Sequence, residues 1–232
     1  MTSQLTLSLL PSEQFSFSNF ISGDNETLIT AMKNVLGGGK ENFIYVCGPE
    51  GSGRSHLLQA ACQWMNTQKG RSVYLPFEAQ SHLSPALLEN LEHLDLVCID
   101  DIDEVLGNSK WETALFDFYN RLRDQQTRLI VSASSLPSHL KGVLPDLVSR
   151  LAWGLCFQVK PLQDADKIVA LKTRAKKRGM ELTDEVAHYL LRHYSRQPKD
   201  LFALLSQLDH ASLREQRRLT IPFVKSVMGV SS

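Results

Sequence analysis

The chain has 232 residues, and its 25 lysines and arginines balance 25 aspartates and glutamates, so the formal net charge is zero. Hydrophobic residues make up 43% of it, which excludes a wholly disordered protein and predicts one large or two small domains. A zero net charge argues against a protein that binds DNA mainly through its backbone phosphates. It is still compatible with a local basic patch. No apolar run of about 18 residues and no basic, cleavable N-terminus occur, so we expect neither a membrane span nor a signal peptide.

Four cysteines occur without any C-x-x-C pair, so the sequence lends no support to a zinc site. We interpret Cys47, Cys62, Cys98 and Cys156 as reduced core residues of a cytosolic protein.

Residues 1–14 have the composition of a mobile arm, and residues 15–25 are predicted to form an ordered extended segment because their aromatics need burial. A helix follows and ends at three successive glycines, 37–39. Strands and helices then alternate, which predicts an α/β domain with a five-stranded parallel sheet flanked by helices. The predicted strands cover residues 43–48, 72–77, 94–101, 128–134 and 155–159, and the clearest helices between them cover 54–69 and 111–125.

At Lys160 and Pro161 the pattern changes, and the remaining sequence shows only helical periodicity. We therefore predict three parts: an arm at 1–14, an α/β domain at 15–160 and a small α-helical domain at 161–232. The first helix of the last part is rich in basic residues, which we interpret as a solvated face. These residues are Lys167, Lys172, Arg174, Lys176, Lys177 and Arg178.

A glycine-rich motif stands between the first predicted strand and the next helix. It matches the phosphate-loop pattern G-x-x-x-x-G-K-[ST] except that Arg54 replaces the lysine. Its glycines allow backbone N–H groups to surround an anion, and Ser55 stands where a hydroxyl would bind Mg²⁺. The alternative is a glycine turn without a ligand. The motif consists of Gly48, Pro49, Glu50, Gly51, Ser52, Gly53, Arg54 and Ser55.

An acidic pair, Asp100 and Asp101, ends the third predicted strand. Asp100 is the predicted Mg²⁺-side acid, and Asp101 is the predicted residue that orients an attacking water. A guanidinium at position 54 is longer than an ammonium and prefers two-pronged contacts, so nucleotide binding is better supported than efficient hydrolysis. The alternative interpretation of the pair is a solvated acidic turn.

The phosphate loop, the acidic strand end and the helical C-terminal part together resemble the DnaA-like family of AAA+ ATPases, which includes the replication initiator DnaA and the smaller regulatory inactivator Hda. The segments that carry the resemblance span most of the chain from residue 15 in family order. They are FSFSNFISGDNETL (15–28), GPEGSGRSHLL (48–58), VCIDDID (97–103), LIVSASSLP (129–137), LPDLVSRLAWGL (144–155) and RQPKDL (196–201).

The resemblance implies an AAA+ fold with a helical lid. It also implies binding of Mg²⁺ and of an adenine nucleotide, ADP more than ATP. It implies that Phe20 and Ile21 lie near the base, that Ser134 takes the sensor 1 position and that Lys199 takes the sensor 2 position. It also implies that Arg150 is an arginine finger, which acts on ATP held by another subunit. From the residues alone, a surface arginine paired with Asp146 is the favoured interpretation of Arg150, and only the resemblance favours the finger.

Two features favour the regulatory branch of this family. The chain ends soon after the helical part, so we expect no additional DNA-binding domain. The arm contains Gln4, Leu5, Leu7 and Leu9, which resemble the Q-L-x-L-x-L motif that binds the β sliding clamp; the alternative is an arm packed on its own domain.

The expected function is therefore inactivation of the initiator DnaA, by stimulating hydrolysis of initiator-bound ATP with the DNA-loaded clamp. From this expectation we also predict weak intrinsic ATPase activity, no strong direct DNA binding and a bacterial cytoplasmic location at the nucleoid. Whether the chain forms a homodimer is left open. Two alternatives remain: a stand-alone AAA+ ATPase of the helicase-loader type, and a non-enzymatic DnaA-like adaptor on DNA.

Overall fold

The computed structural model describes residues 15–77 and 83–229. The chain divides into two compact units, Met1–Pro161 and Leu162–Ser232. Within the described ranges, no helix is long and apolar enough to cross a membrane.

The first unit contains one five-stranded sheet in which every neighbouring pair is parallel. The strands are β1 (Phe43–Cys47), β2 (Ser72–Pro76), β3 (Leu96–Asp100), β4 (Arg128–Ala133) and β5 (Leu155–Gln158). Their order in the sheet is β2-β3-β4-β1-β5, so the central strand β4 lies between β3 and β1, and β1 is distant from β4 in sequence. The predicted α/β class with a five-stranded parallel sheet is confirmed.

In the described part of this unit, four α-helices accompany the sheet, together with short 3₁₀ segments such as Gly23–Asn25 and Ile102–Val105. The helices are α1 (Glu26–Leu36), α2 (Arg54–Thr67), α3 (Ser109–Asp124) and α4 (Pro145–Leu151). Alternate residues of the strands point to opposite faces, so the sheet carries a separate apolar core on each side. One core holds Tyr45, Ile99 and Val131 against α3, and the other holds Val46, Cys98 and Ile130 against α1 and α2.

The segment before α1 corrects one sequence prediction. Residues 15–25 are not extended: Phe17–Asn19 form a turn, and Gly23–Asn25 form a 3₁₀ helix. The turn forms because the carbonyl of Ser16 accepts the backbone N–H groups of Asn19 and Phe20, at 3.0 and 3.1 Å. Local backbone hydrogen bonding therefore buries the aromatics without a strand.

The cysteines require a second correction. All four are free, but only Cys47, Cys62 and Cys98 are buried, whereas Cys156 is exposed. Cys156 lies on β5, which is an edge strand with alternating burial. The apolar run around it predicted the strand but not its edge position.

In its described residues, the second unit is entirely helical and has a leucine-rich core of its own, built around Leu171, Leu190 and Leu204. Two basic residues depart from the predicted solvated face. The Lys167 side chain is only 13% exposed and pairs with Asp164, and the Arg174 guanidinium carbon lies 3.7 Å from the centre of the Phe202 ring. The helices are α5 (Asp164–Lys177), α6 (Asp184–His193), α7 (Pro198–Glu215) and α8 (Ile221–Met228).

Candidate functional site

The phosphate-loop motif forms the turn between β1 and α2. Gly51 and Gly53 have φ angles of +73° and +102°, a region that disfavours residues with a side chain. Arg54 begins α2 directly after Gly53, so the free N–H groups of the helix N-terminus are available to an anion. The hydroxyl of Ser52 is buried and has no hydrogen-bond partner among the described residues. An unpaired buried hydroxyl beside these N–H groups fits a phosphate oxygen.

Arg54 turns towards the ends of the strands. Its guanidinium donates one hydrogen bond to the carbonyl of Gly48 and another to Asp101, with an Nη2–Oδ1 distance of 2.5 Å. The Arg54 side chain is 11% exposed and that of Asp101 is 21% exposed, so the ion pair is largely shielded from water. In this structure Arg54 therefore neutralises an acid of its own site, and its contact with phosphate remains a prediction.

Asp100 ends β3 and is buried. The hydroxyl of Ser132 donates to one of its oxygens, and the hydroxyl of Tyr74 donates to the other at 2.6 Å. Ser132 also accepts the backbone N–H of Asp101 at 2.9 Å. A single serine on the neighbouring strand β4 thus orients both members of the acidic pair.

Tyr74 links this acid to the phosphate loop. Burial and the nearby Asp100 raise the pKa of Tyr74, while hydrogen bonds with Gln59 and Ser55 lower it, and the net direction is upward. Asp100, at the end of β3, and Ser55, in the first turn of α2, therefore both lie near the Tyr74 hydroxyl. A carboxylate and a hydroxyl of this kind fit Mg²⁺, which prefers oxygen ligands and keeps several of its waters.

Asp101 has a φ of +54°, in the left-handed region, and precedes the 3₁₀ segment Ile102–Val105. Burial and the adjacent charge of Asp100 raise the pKa of Asp101, and Arg54 lowers it; the net direction is upward. A carboxylate that is already paired with Arg54 is not free to orient a water, so the predicted catalytic role would require this pair to separate.

Ser134, at the predicted sensor 1 position, follows β4 directly and is exposed. Its hydroxyl and its backbone N–H both donate to Asp103 Oδ2, the latter at 3.0 Å. The side chain is therefore held by an acid of its own domain, and the sensor role remains a prediction.

Phe20, predicted to lie near the base, packs against the phosphate loop itself. A Cβ atom added to Gly53 would lie only 2.8 Å from Phe20 Cε2, so glycine is required at this contact. Ile21 is half-buried next to it. The aromatic segment and the loop thus form one continuous surface.

Arg150, the predicted finger, is the sixth residue of the short helix α4. Its guanidinium carbon lies 5.0 Å from the Trp153 ring centre and 5.8 Å from that of Phe116. The described residues show no ion pair between Arg150 and Asp146, which disfavours the alternative of a simple surface pair. Trp153 is 65% exposed, so Arg150 lies on an aromatic surface patch.

For two further predictions, the sensor 2 lysine and the clamp-binding motif, the structure gives little or no information. Lys199 is the second residue of α7 in the helical unit and is exposed. The clamp-binding motif at Gln4, Leu5, Leu7 and Leu9 lies outside the described residues.

Sequence reasoning missed Ser132 and Tyr74. A serine inside the apolar run of β4 was the available signal for Ser132, because a buried hydroxyl must find a partner. Its partner, Asp100, could not be identified from the sequence, because only the strand order places β4 beside β3.

Comparison with known proteins identifies two families along the chain. The bacterial DnaA ATPase domain matches residues 11–158, and the Hda lid domain matches residues 164–228. Together these two matches account for both structural units.

Solved structures agree with this division. Domain III of the replication initiation protein DnaA from Thermotoga maritima superposes with a TM-score of 0.81 at 20% identity, covering 94% of this chain and 97% of that one. A replication initiator DnaA bound to AMPPCP and single-stranded DNA superposes with a TM-score of 0.72 at 25% identity, covering 89% and 69%.

The Holliday junction branch migration motor RuvB from Thermotoga maritima shares the fold, with a TM-score of 0.72 at 17% identity and coverage of 95% and 72%. This chain belongs to the DnaA-like family of AAA+ proteins, with a DnaA-type ATPase domain followed by an Hda-type lid domain.

Proposed function

We propose that the chain is a regulatory inactivator of the replication initiator DnaA. It holds an adenine nucleotide, docks on the DNA-loaded β sliding clamp and stimulates hydrolysis of the ATP bound to the initiator, which prevents re-initiation of chromosome replication. Membership of the DnaA-like family and the Hda-type lid support a role in replication control.

Nucleotide binding is supported by the phosphate loop with its buried, unpaired Ser52 hydroxyl. A related initiator has been solved with AMPPCP, which supports an adenine nucleotide in this chain. The preference for ADP over ATP rests on the family resemblance alone. Ser55 and Asp100 would hold Mg²⁺, whose charge, when bound, offsets that of the phosphates.

The observation that carries the proposal is the Arg54–Asp101 ion pair. Arg54 occupies the position of the phosphate-loop lysine, and Asp101 that of the water-orienting acid, yet the two neutralise each other at 2.5 Å. A site in which these groups are engaged together is suited to retaining a nucleotide rather than turning it over. We therefore assign the chain weak or no ATPase activity of its own and a main role as an activator in trans.

Arg150 is the group proposed to act on the partner's ATP. Its guanidinium is held over an exposed tryptophan without an acidic partner among the described residues, so its positive charge stays available. An arginine delivered to the transferring phosphoryl group accelerates hydrolysis by about 10³–10⁵-fold.

The remaining partners complete the proposal. Gln4, Leu5, Leu7 and Leu9 are proposed to bind the sliding clamp as a short extended peptide with alternate apolar side chains. The zero net charge supports reaching DNA through the clamp rather than by strong direct binding. We place this activity at the nucleoid of the bacterial cytoplasm, and a homodimer is compatible with it.

The test is hydrolysis of radiolabelled ATP that is pre-bound to the initiator, in the presence of DNA-loaded clamp. We expect the wild type to accelerate hydrolysis, and Arg150→Ala and a Gln4, Leu5 and Leu7 triple alanine variant to lose the acceleration. If the wild type does not exceed the control without the chain, the proposal fails. High intrinsic turnover that Asp101→Asn abolishes would instead identify a stand-alone ATPase, and clamp-independent DNA affinity that falls steeply with salt would identify a DNA-bound adaptor.

A further inference from the structure

His56 connects two parts of the nucleotide site that are distant in sequence. It lies in the first turn of α2, two residues after Arg54. Its ring contacts two aromatic rings edge to face: the centre-to-centre distances are 5.2 Å to Phe15 and 5.3 Å to Phe20, with interplanar angles of 84° and 77°. Edge-to-face pairs at these distances are attractive beyond the burial of their area.

The same ring also forms a polar contact with this segment. His56 Nε2 lies 3.0 Å from the carbonyl oxygen of Ser16, and because a carbonyl only accepts, Nε2 carries the proton. The Ser16 carbonyl also accepts the backbone N–H groups that close the turn, those of Asn19 and Phe20. His56 therefore binds the turn at the Ser16 carbonyl oxygen, the same atom whose hydrogen bonds close the turn.

The held segment lies directly against the phosphate loop. Phe20 packs on Gly53, the last loop residue before α2, so closely that no Cβ atom could fit between them. On the far side of the turn, the Lys33 ammonium lies 5.8 Å from the centre of the Phe17 ring, which is a weaker restraint. Half-buried aromatic surface next to a phosphate site is suited to the nucleoside part of a nucleotide, since rings stack on bases.

We propose that His56 is a positioning residue for the nucleoside of the bound nucleotide. It fixes the aromatic turn of residues 15–20 beside the phosphate loop, so that contacts of the turn with base and ribose add to the binding of the phosphates. This inference rests on the nucleotide binding included in the proposed function. In this proposal the phosphates bind to backbone N–H groups of the loop, and His56 does not contact them.

The experiment measures binding of ADP and of inorganic pyrophosphate to the full chain by isothermal titration calorimetry. Pyrophosphate reports the phosphate loop alone, whereas ADP reports the loop and the nucleoside contacts. The variants are His56→Ala, His56→Phe, which keeps an aromatic ring but loses the Nε2 donor, and His210→Ala, an exposed histidine of α7 as the matched control. Thermal unfolding of each variant verifies that it is folded.

We expect His56→Ala to weaken ADP binding roughly tenfold, because it removes one hydrogen bond and two edge-to-face ring contacts that hold the turn, while pyrophosphate binding stays within about twofold. His56→Phe should fall between wild type and His56→Ala, and His210→Ala should match wild type for both ligands. Equal weakening of both ligands, or no weakening of ADP binding, would overturn the inference while leaving nucleotide binding intact. A wild-type chain that binds neither ligand would overturn nucleotide binding itself and this inference with it.

Discussion

Arg54 and Asp101 are 47 residues apart in sequence, yet Nη2 of the arginine lies 2.5 Å from Oδ1 of the aspartate. The pair joins the start of α2 to the residue after β3, and it places opposite charges at the position predicted to bind phosphate and the position predicted to orient water. Arg54 lowers the pKa of Asp101, but burial and Asp100 outweigh it in the upward direction. The pair is therefore close in space without being strongly stabilising.

Asp101→Asn tests this balance through the pH dependence of stability. Because the pKa of Asp101 is raised on folding, the folded protein binds the proton more tightly than the unfolded chain does. The contribution of Asp101 to the free energy of unfolding should therefore fall as pH rises above the ordinary aspartate pKa of about 3.8 and through the raised value. In urea unfolding at a series of pH values, the free energy of unfolding of Asp101→Asn should therefore rise relative to that of the wild type over this range. Asp117→Asn, which removes an exposed carboxylate of α3, is the control, and an identical pH dependence in all three proteins would refute the expectation.

Ser132→Ala tests the serine that orients the acidic pair. The change leaves the buried carboxylate of Asp100 and the N–H of Asp101 each without one hydrogen bond, which should cost about 1–3 kcal/mol of unfolding free energy. Ser138→Ala, which changes an exposed serine of the 3₁₀ segment Pro137–His139, is the control and should cost less than about 0.5 kcal/mol. Denaturant titration of both variants measures the difference, and equal costs would contradict the assignment of Ser132.

Gly53→Ala should impair both folding and nucleotide binding. The residue has a φ of +102°, and an added Cβ would lie 2.8 Å from Phe20. Gly107→Ala is the matched control, since its φ of +90° imposes similar backbone strain with nothing within 4 Å of the added atom. We expect Gly107→Ala to lower the free energy of unfolding by about 1 kcal/mol through the strain alone, and Gly53→Ala to lower it further. Loss of ADP affinity should be confined to Gly53→Ala, and comparable behaviour of the two variants would show that the Phe20 contact is unimportant.

Trp153→Ala tests the surface on which Arg150 lies. A cation–π contact at an exposed site contributes about 0.5–1 kcal/mol, so its loss should reduce stimulation of initiator-bound ATP hydrolysis by about two- to fivefold. Trp153→Phe should retain most of the stimulation, because it keeps an aromatic face. Leu213→Ala removes another exposed apolar side chain, 72% exposed in the helical unit, and should leave the rate unchanged. A Trp153→Ala chain with full stimulation would show that Arg150 does not depend on this ring.

The fold class was accessible from the sequence because its signals are local. Apolar runs such as residues 43–47 are long enough to identify strands, and the glycines after Leu36 terminate a helix through their own backbone freedom. The exposure of Cys156 was not accessible, because whether a strand lies at the centre or at the edge depends on partners elsewhere in the chain. The turn at Phe17–Asn19 was also missed, because hydrogen bonds to the single carbonyl of Ser16 replaced the expected extended conformation.

For the site itself, the sequence determined which groups are present: a glycine loop, a hydroxyl at Ser55 and two carboxylates at a strand end. The positions of these groups along the chain are read directly from the sequence and require no tertiary contact. Only the tertiary structure decided what those groups do to one another. Parallel pairing of β3 with β4 brings Ser132 to Asp100, and α2 turns Arg54 towards Asp101 rather than leaving it free. Charges and hydroxyls act over a few ångströms, so their partners are set by the packing of strands and helices and not by distance in sequence.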